Sequence, residues 1–393
     1  MRLMIYTNIM TPYRAFFYEL LAEQAKTIGW ELRVVLMART EPNRNWYYED
    51  YAKEYTVLLK SHLLKFRNIF VHYNPDLKQF LKEYKPNIVV CGGGYICPGV
   101  YQICKLKKKY NYLTVFWNES HLKESRNYSK AILGIRERLR RIVFSKFDGF
   151  WCPGILAREL VEKYARKDAF FFRMPNIVDK EIYGKACNID EKSKERIALE
   201  YNINLSKIIM ICPARLSAEK GILEFITFFD RCSKKDACTI VIPGDGPLKE
   251  KIKAESENRK IDLRLLGFQN QNQLVQLYAI SDLFLLPSLS DANPLTCIEA
   301  AWAALPLFVS SHVGNYPEII ETGVNGYVFD FNDAKTLSYF DTLPDKDDKW
   351  YLKAGQESRR IAEERFDPDL IIPSIFSFLK KQFEEKISVS CEK

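Results

Sequence analysis

The chain has 393 residues, 47% of them hydrophobic and 13% aromatic, which excludes a disordered or fibrous protein and suffices for two cores. Its formal charge of +8 is unevenly spread: residues 1–180 carry 31 Lys and Arg against 17 Asp and Glu, whereas residues 181–393 carry 27 against 33. A basic first half calls for an anionic partner, either phospholipid headgroups or a phosphorylated acceptor; nucleic acid is disfavoured because no base-stacking or groove-reading motif accompanies the charge.

In chain order, short apolar runs alternate with stretches of helical period. The opening MRLMIYT reads as a strand, because a signal peptide needs a longer apolar core. Further strands are predicted at 31–37, 87–92, 112–117 and 149–152, with helices at 14–27, 75–84, 97–109, 128–146 and 154–164. Segment 130–147 is both amphipathic and basic, with apolar residues at 132, 135, 139, 142 and 143. Such a helix can lie on an anionic membrane or turn its apolar stripe onto the sheet. In the second half, strands are predicted at 208–214, 239–244, 263–268, 283–288, 306–310 and 326–331, and helices at 219–233, 247–258, 271–279, 294–304, 315–321 and 346–364.

Strict β-α-β alternation with strands buried on both faces means parallel sheets, twice over. The expected fold class is α/β, with two Rossmann-like domains, 1–180 and 181–366. A terminal helix at about 367–386 packs back on the first, and 174–192 serves as the linker. No window approaches the roughly 18 apolar residues that span a bilayer, so a cytoplasmic protein, peripheral at the inner face of the membrane, is expected. The ten cysteines lack metal-like spacing and read as free thiols in a reducing compartment; the sequons at Asn118 and Asn127 carry little weight without a secretion signal.

Ligands of open parallel sheets bind beyond the carboxyl ends of the strands. There the second half carries ARLSAEKG (214–221), PGDGP (243–247) and SLSDANPLTCIEAAWAALP (288–306). Ser217 is placed to cap a helix with Lys220 in its first turn, where a cation is disfavoured unless an anion such as a diphosphate sits nearby; Arg215 adds a second charge. Asn293 and Pro294 read as N-cap and first residue of the next helix, with Leu295 and Thr296 in its first turn. Asp291 precedes that start, and Glu299 is a carboxylate inside an apolar helix that needs a partner.

Together these segments resemble glycosyltransferase family 4, retaining enzymes of the GT-B fold. The resemblance rests on Arg215, Lys220-Gly221, Gly244-Asp245-Gly246-Pro247, and Asp291 with Glu299 eight positions on, in order and spacing. PNIVD (175–179), LYAISDLFLLPS (277–288) and VGNYPEIIETGVNGYVF (313–329) support it. By that resemblance Arg215 and Lys220 hold the donor diphosphate, Glu299 the ribose hydroxyls and Asp291 the transferred sugar, with Gly246, Asn293, Pro294, Leu295 and Thr296 lining the donor and Phe268 beside the base. It implies two domains facing each other across a cleft, a nucleotide-diphosphate sugar as co-substrate, no metal or other cofactor, and a glycan or lipid-linked acceptor in cell-surface polysaccharide or glycoconjugate assembly. A catalytically weak partner subunit, or a nucleotide-sugar epimerase, is the alternative.

The sequence departs from the family's pattern at Asp291, where Glu is usual, at Ala304, where Gly is common, at Pro294, and in the glycine-free TNIMTPYR (7–14). On the acceptor side Glu119 and His121 are both candidates. Arg14 could meet a donor or an acceptor phosphate or be an ordinary surface residue, and Gly93 allows close backbone approach or simply a turn.

Overall fold

A computed structural model describes residues 1–41, 47–66, 69–122 and 130–391. The chain divides into two units, one of residues 1–119, 127–175 and 368–393, the other of 120–126 and 176–367. The first is built on a seven-stranded sheet of β1 (Arg2–Thr7), β2 (Glu31–Leu36), β3 (Thr56–Leu58), β6 (Ile88–Cys91), β7 (Leu113–Trp117), β8 (Gly149–Cys152) and β9 (Phe170–Arg173). A hairpin of β4 (His62–Phe66) and β5 (Ile69–Tyr73) stands apart. The second unit holds a six-stranded sheet of β10 (Ile208–Ile211), β11 (Cys238–Pro243), β12 (Leu263–Gly267), β13 (Leu283–Leu286), β14 (Leu307–Ser310) and β15 (Gly326–Phe329).

Every pairing in both large sheets is parallel. The predicted strands are all present because the central ones are buried on both faces, so they read as unbroken apolar runs. In β10, Ile209 and Ile211 join one hydrophobic cluster while Ile208 and Met210 join another, the two-residue period of a strand feeding a core on each face. The strands that periodicity misses are β3, β4, β5 and β9. β3 and β9 sit at the two ends of the first sheet, and β9 is only half-buried.

The second sheet runs β12-β11-β10-β13-β14-β15 and the first β3-β2-β1-β6-β7-β8-β9. The chain therefore winds outward in both directions from one central strand in each, and the reversal leaves a crevice beyond the carboxyl ends of β10 and β13, and another beyond β1 and β6. These are the doubly wound, Rossmann-like sheets of the α/β class expected from the sequence.

Two local predictions are corrected. The helix foreseen at 219–233 is a 3-10 turn, Ala218–Lys220, then a separate helix, Ile222–Phe229, broken at Gly221 with φ of 63°. The segment 174–192 is no bare linker: from Asn176 it folds into the second unit, with a helix at Lys180–Gly184 and another opening at Glu191. The foreseen start of the helix at 128–146 and the sequon at Asn127 lie outside the described residues; within them that helix runs Lys130–Phe144. The last helix, Pro368–Cys391, belongs to the first unit, where Phe376 meets Trp30 with ring centroids 5.3 Å apart and Phe378 meets Phe172 at 4.9 Å.

Candidate functional site

In the second unit the loops after β10 and β13 close on each other across the crevice. Gly221 makes this possible: its left-handed backbone excludes most side chains, and a Cβ there would fall 2.1 Å from the Pro287 carbonyl oxygen. The amides of Leu289 and Ser290 then donate to the Glu219 carbonyl at 2.9 and 3.2 Å. Lys220 Nζ reaches Asp291 Oδ2 at 2.5 Å, with both side chains mostly buried. Ser217 does not cap a helix; its hydroxyl donates to Glu219 at 2.6 Å, so the expected placing of Lys220 in a helical first turn is replaced by the end of the 3-10 turn. Arg215 lies exposed on the rim.

The loop after β11 is laid backbone to backbone on the loop after β10. A Cβ on Gly246 would come 2.5 Å from the Leu216 carbonyl oxygen, and the Leu216 amide donates to the Asp245 carbonyl at 3.0 Å. Beyond β12, Phe268 is 82% exposed, and the preceding Gly267 has φ of 70°.

Asp291 is held from the far side by the loop after β14. The Gly314 amide donates to the Asp291 carbonyl at 2.8 Å, and a Cβ on Gly314 would meet the Ala292 carbonyl oxygen at 1.9 Å and His121 Cδ2 at 2.7 Å. His121, buried within the same unit, thus packs beside the acidic loop. The helix that follows starts one residue later than expected: Pro294 is its N-cap and Leu295 its first residue, with Thr296 in the same turn. Asn293 caps nothing. Its carbonyl accepts from Asn176 Nδ2 at 3.0 Å, and Asn315 Nδ2 donates to the Pro294 carbonyl at 3.0 Å. The Asn293 side-chain amide is 8% exposed, and neither its oxygen nor its nitrogen has a hydrogen-bond partner among the described residues. Such a group is costly unless a ligand or water completes it.

Glu299 accepts from Tyr183 at 2.9 Å and from Tyr278 at 3.0 Å, one tyrosine on each carboxylate oxygen. Burial raises its pKa, and the two phenols counter only part of that rise. Neither tyrosine stood out in the sequence; Tyr278 lies in LYAISD, and Tyr183 in the segment read as a linker. Ala304 has φ of 54°, the left-handed region, which accounts for glycine being common there.

In the first unit, Arg14 sits at the third position of the helix Pro12–Thr27, with its guanidinium 3.7 Å from the Trp117 ring centroid and 2.9 Å from Glu119. Burial would lower its pKa, but Glu119 together with Tyr13 and Tyr18 outweighs it and the net shift is upward. Arg14 is therefore not an ordinary surface residue. A Cβ on Gly93 would fall 2.8 Å from Asn8 Oδ1 and 2.4 Å from Met37 Cε, so that glycine lets the loop after β6 approach the loop after β1. Glu119 and Arg14 thus belong together at the crevice of the first sheet, whereas His121 lies with the second unit.

Residues 193–339 match the family described as glycosyl transferases group 1. The match lies within the second unit and takes in Arg215, Lys220, Asp291 and Glu299. The chain is 25% identical over 197 residues to N-acetyl-α-D-glucosaminyl L-malate synthase of Bacillus anthracis, covering 50% of each chain. It is 29% identical over 170 residues to the UDP-Gal:α-D-GlcNAc-diphosphoundecaprenol α-1,3-galactosyltransferase of Escherichia coli, covering 42% of each. The chain thus spans about half the length of the curated relatives it matches. Among solved structures, Anabaena Alr3699/HepE in complex with UDP superposes with a TM-score of 0.74 over 97% of this chain and 100% of that one, at 14% identity. That likeness is one of fold, and the fold is GT-B. Among the described residues, no helix is long and apolar enough to cross a membrane, and no three His, Cys, Asp or Glu side chains gather as a metal site would need.

Proposed function

We propose that this chain is a retaining glycosyltransferase of family 4 that moves a sugar from a nucleotide-diphosphate sugar to a glycan or lipid-linked acceptor at a membrane surface. The observation that carries the reading is the Lys220–Asp291 pair, which joins the two loops at the reversal point of the second sheet, with Arg215 on the rim. A diphosphate leaving group gains charge as the glycosidic bond breaks, and Lys220, held there by Asp291, stabilises it with Arg215 beside it on the rim. Asp291 uses one carboxylate oxygen for Lys220, which leaves Oδ1 to receive a sugar hydroxyl. The unpartnered amide of Asn293 supplies a donor and an acceptor to the same ligand. Glu299 holds the ribose through its remaining lone pairs, since each carboxylate oxygen can accept a second hydrogen bond. His121 is the polar group against the acidic loop, and Arg14 with Glu119 meets the acceptor. The proposed chemistry rests on electrostatics and positioning.

Asp in place of Glu shortens the side chain by one methylene, a retreat on the order of 1 Å. The loop is pinned by Val313 and Gly314, which leaves it little room to move inward. This favours a donor sugar of different hydroxyl orientation or greater bulk.

The test is transfer or hydrolysis by the purified protein across the common nucleotide sugars. Lys220→Ala and Arg215→Ala should each lower turnover by about two orders of magnitude or more. No turnover of any donor, with nucleotide still bound, would identify a non-catalytic partner subunit instead.

A further inference from the structure

Where the loop after β13 meets the loop after β14, two carboxamides are buried with polar atoms left over. Asn293 is 8% exposed and Asn315 1%. Among the described residues, neither Oδ1 nor Nδ2 of Asn293 makes a hydrogen bond, and Oδ1 of Asn315 makes none either. The orientation of Asn315 is set, because its Nδ2 donates to the Pro294 carbonyl at 3.0 Å and Oδ1 is the atom it has left to offer. The same bond seats the Asn315 carboxamide one residue along from Asn293, and the Gly314 amide, donating to the Asp291 carbonyl at 2.8 Å, pins the two loops together. Asn293, with both ends unpaired, can present an N–H donor to the same point. Beside them Asp291 has one carboxylate oxygen committed to Lys220. Buried amides left in this way cost stability, and a ligand that completes them recovers it.

We propose, on the glycosyltransferase reading above, that Asn293 and Asn315 select a donor whose transferred sugar carries an acetamido group. A secondary amide in its trans form sends N–H and C=O in opposite directions. It therefore asks for an acceptor on one side and a donor on the other, which Asn315 Oδ1 and Asn293 Nδ2 supply from two different loops. A hydroxyl could meet both only from a single oxygen atom. A carboxylate on the sugar would be repelled by Asp291, and the two carboxamides bring no charge to offset it. The shorter side chain of Asp291 leaves space for the added bulk. Asn293 Oδ1 then remains for a neighbouring sugar hydroxyl.

The measurement is titration calorimetry of the full chain with UDP, with UDP-glucose and UDP-galactose, and with their acetamido counterparts UDP-N-acetylglucosamine and UDP-N-acetylgalactosamine. At least one acetamido donor should bind about 10-fold or more tightly than its hydroxyl counterpart. Asn293→Leu keeps a branched side chain and removes both polar atoms, so it should erase that ratio, with the affinity for UDP alone reporting whether the nucleotide pocket still stands. Thermal melting gives a second readout. Without donor, Asn293→Leu should melt higher than the parent, since an unpaired buried amide is gone, and the acetamido donor should raise the parent's melting temperature more than the variant's. Equal affinity for acetamido and hydroxyl donors overturns the proposal, as does a ratio that Asn293→Leu leaves unchanged. A donor-free Asn293→Leu that melts below the parent overturns it too, because the carboxamide would then serve the fold. A chain that binds UDP without any acetamido preference loses this proposal and keeps the glycosyltransferase reading; one that binds neither UDP nor any of these donors loses both.

Discussion

Ala304 occupies a backbone conformation that costs an L-residue about 1 kcal/mol or more, partly offset because glycine loses more freedom on folding. Ala304→Gly should therefore raise stability by about 0.5–1 kcal/mol in urea denaturation with the slope unchanged; a loss of stability would mean that the side chain's packing outweighs its backbone strain. Asp291→Asn should cut turnover strongly and leave binding of the bare nucleotide nearly unchanged, since the sugar and not the ribose loses its partner. Calorimetry with nucleotide alone, set beside kinetics with the whole donor, separates the two. Glu299→Gln should weaken donor binding by about 1–3 kcal/mol. It also has a pH signature. The folded pKa of Glu299 lies above its ordinary 4.5, so what the protonated group contributes to stability is complete below 4.5 and is lost as pH rises through the folded value. The melting temperature of the parent should fall relative to Glu299→Gln across that window, and parallel curves would contradict this. At this scale the sequence was most informative where a residue type was out of place for its surroundings. Glu299 stood out inside an apolar helix, whereas its partner Tyr183 did not, because nothing local marks a tyrosine that meets a carboxylate 116 residues away.

Elements were legible where burial on both sides of a strand erased polar residues, as in β6, β10 and β13. Two strands at the ends of the first sheet, β3 and β9, were missed, while β12 and β15 at the ends of the second were found. The expected continuous helix over 219–233 fails because the positive φ of Gly221 breaks it and turns the loop onto Pro287. Asp148, just before β8, shows an element-scale tie that no periodicity reports. Its carboxylate takes Lys107 at 3.1 Å, Arg166 at 3.2 Å and Lys386 at 3.5 Å, and the Thr114 amide donates to it at 2.9 Å, which fastens the last helix to β7 and β8. Burial alone would raise its pKa, but the lysines and the amide outweigh it and hold the carboxyl below the ordinary 3.8. Its contribution is therefore complete above pH 3.8 and is lost as pH falls through the lower, folded value. Asp148→Asn should cost about 3 kcal/mol or more at neutral pH, because it leaves three cations clustered about an uncharged group. Denaturation at pH 7 and again well below pH 3 checks this: the difference from the parent should be large at the first and small at the second.

Across the whole molecule, each unit carries its own hydrophobic core, so ligand binding should stabilise them unequally. Nucleotide at about a hundred times its Kd should add about 2.7 kcal/mol to the second unit. Scanning calorimetry should show one transition rising and another staying in place, and a uniform shift of a single transition would mean that the units unfold together. The first unit has one further peculiarity, that its final helix is made after all of the second unit. During synthesis Trp30, Phe170 and Phe172 must wait for Phe376 and Phe378 while residues 176–367 are translated, roughly 10–40 s at about 5–20 residues per second. For that interval the nascent chain on the ribosome presents an aromatic surface with no cover. A chaperone that shields such surfaces should bind stalled chains ending before Pro368 and release those extended past Cys391.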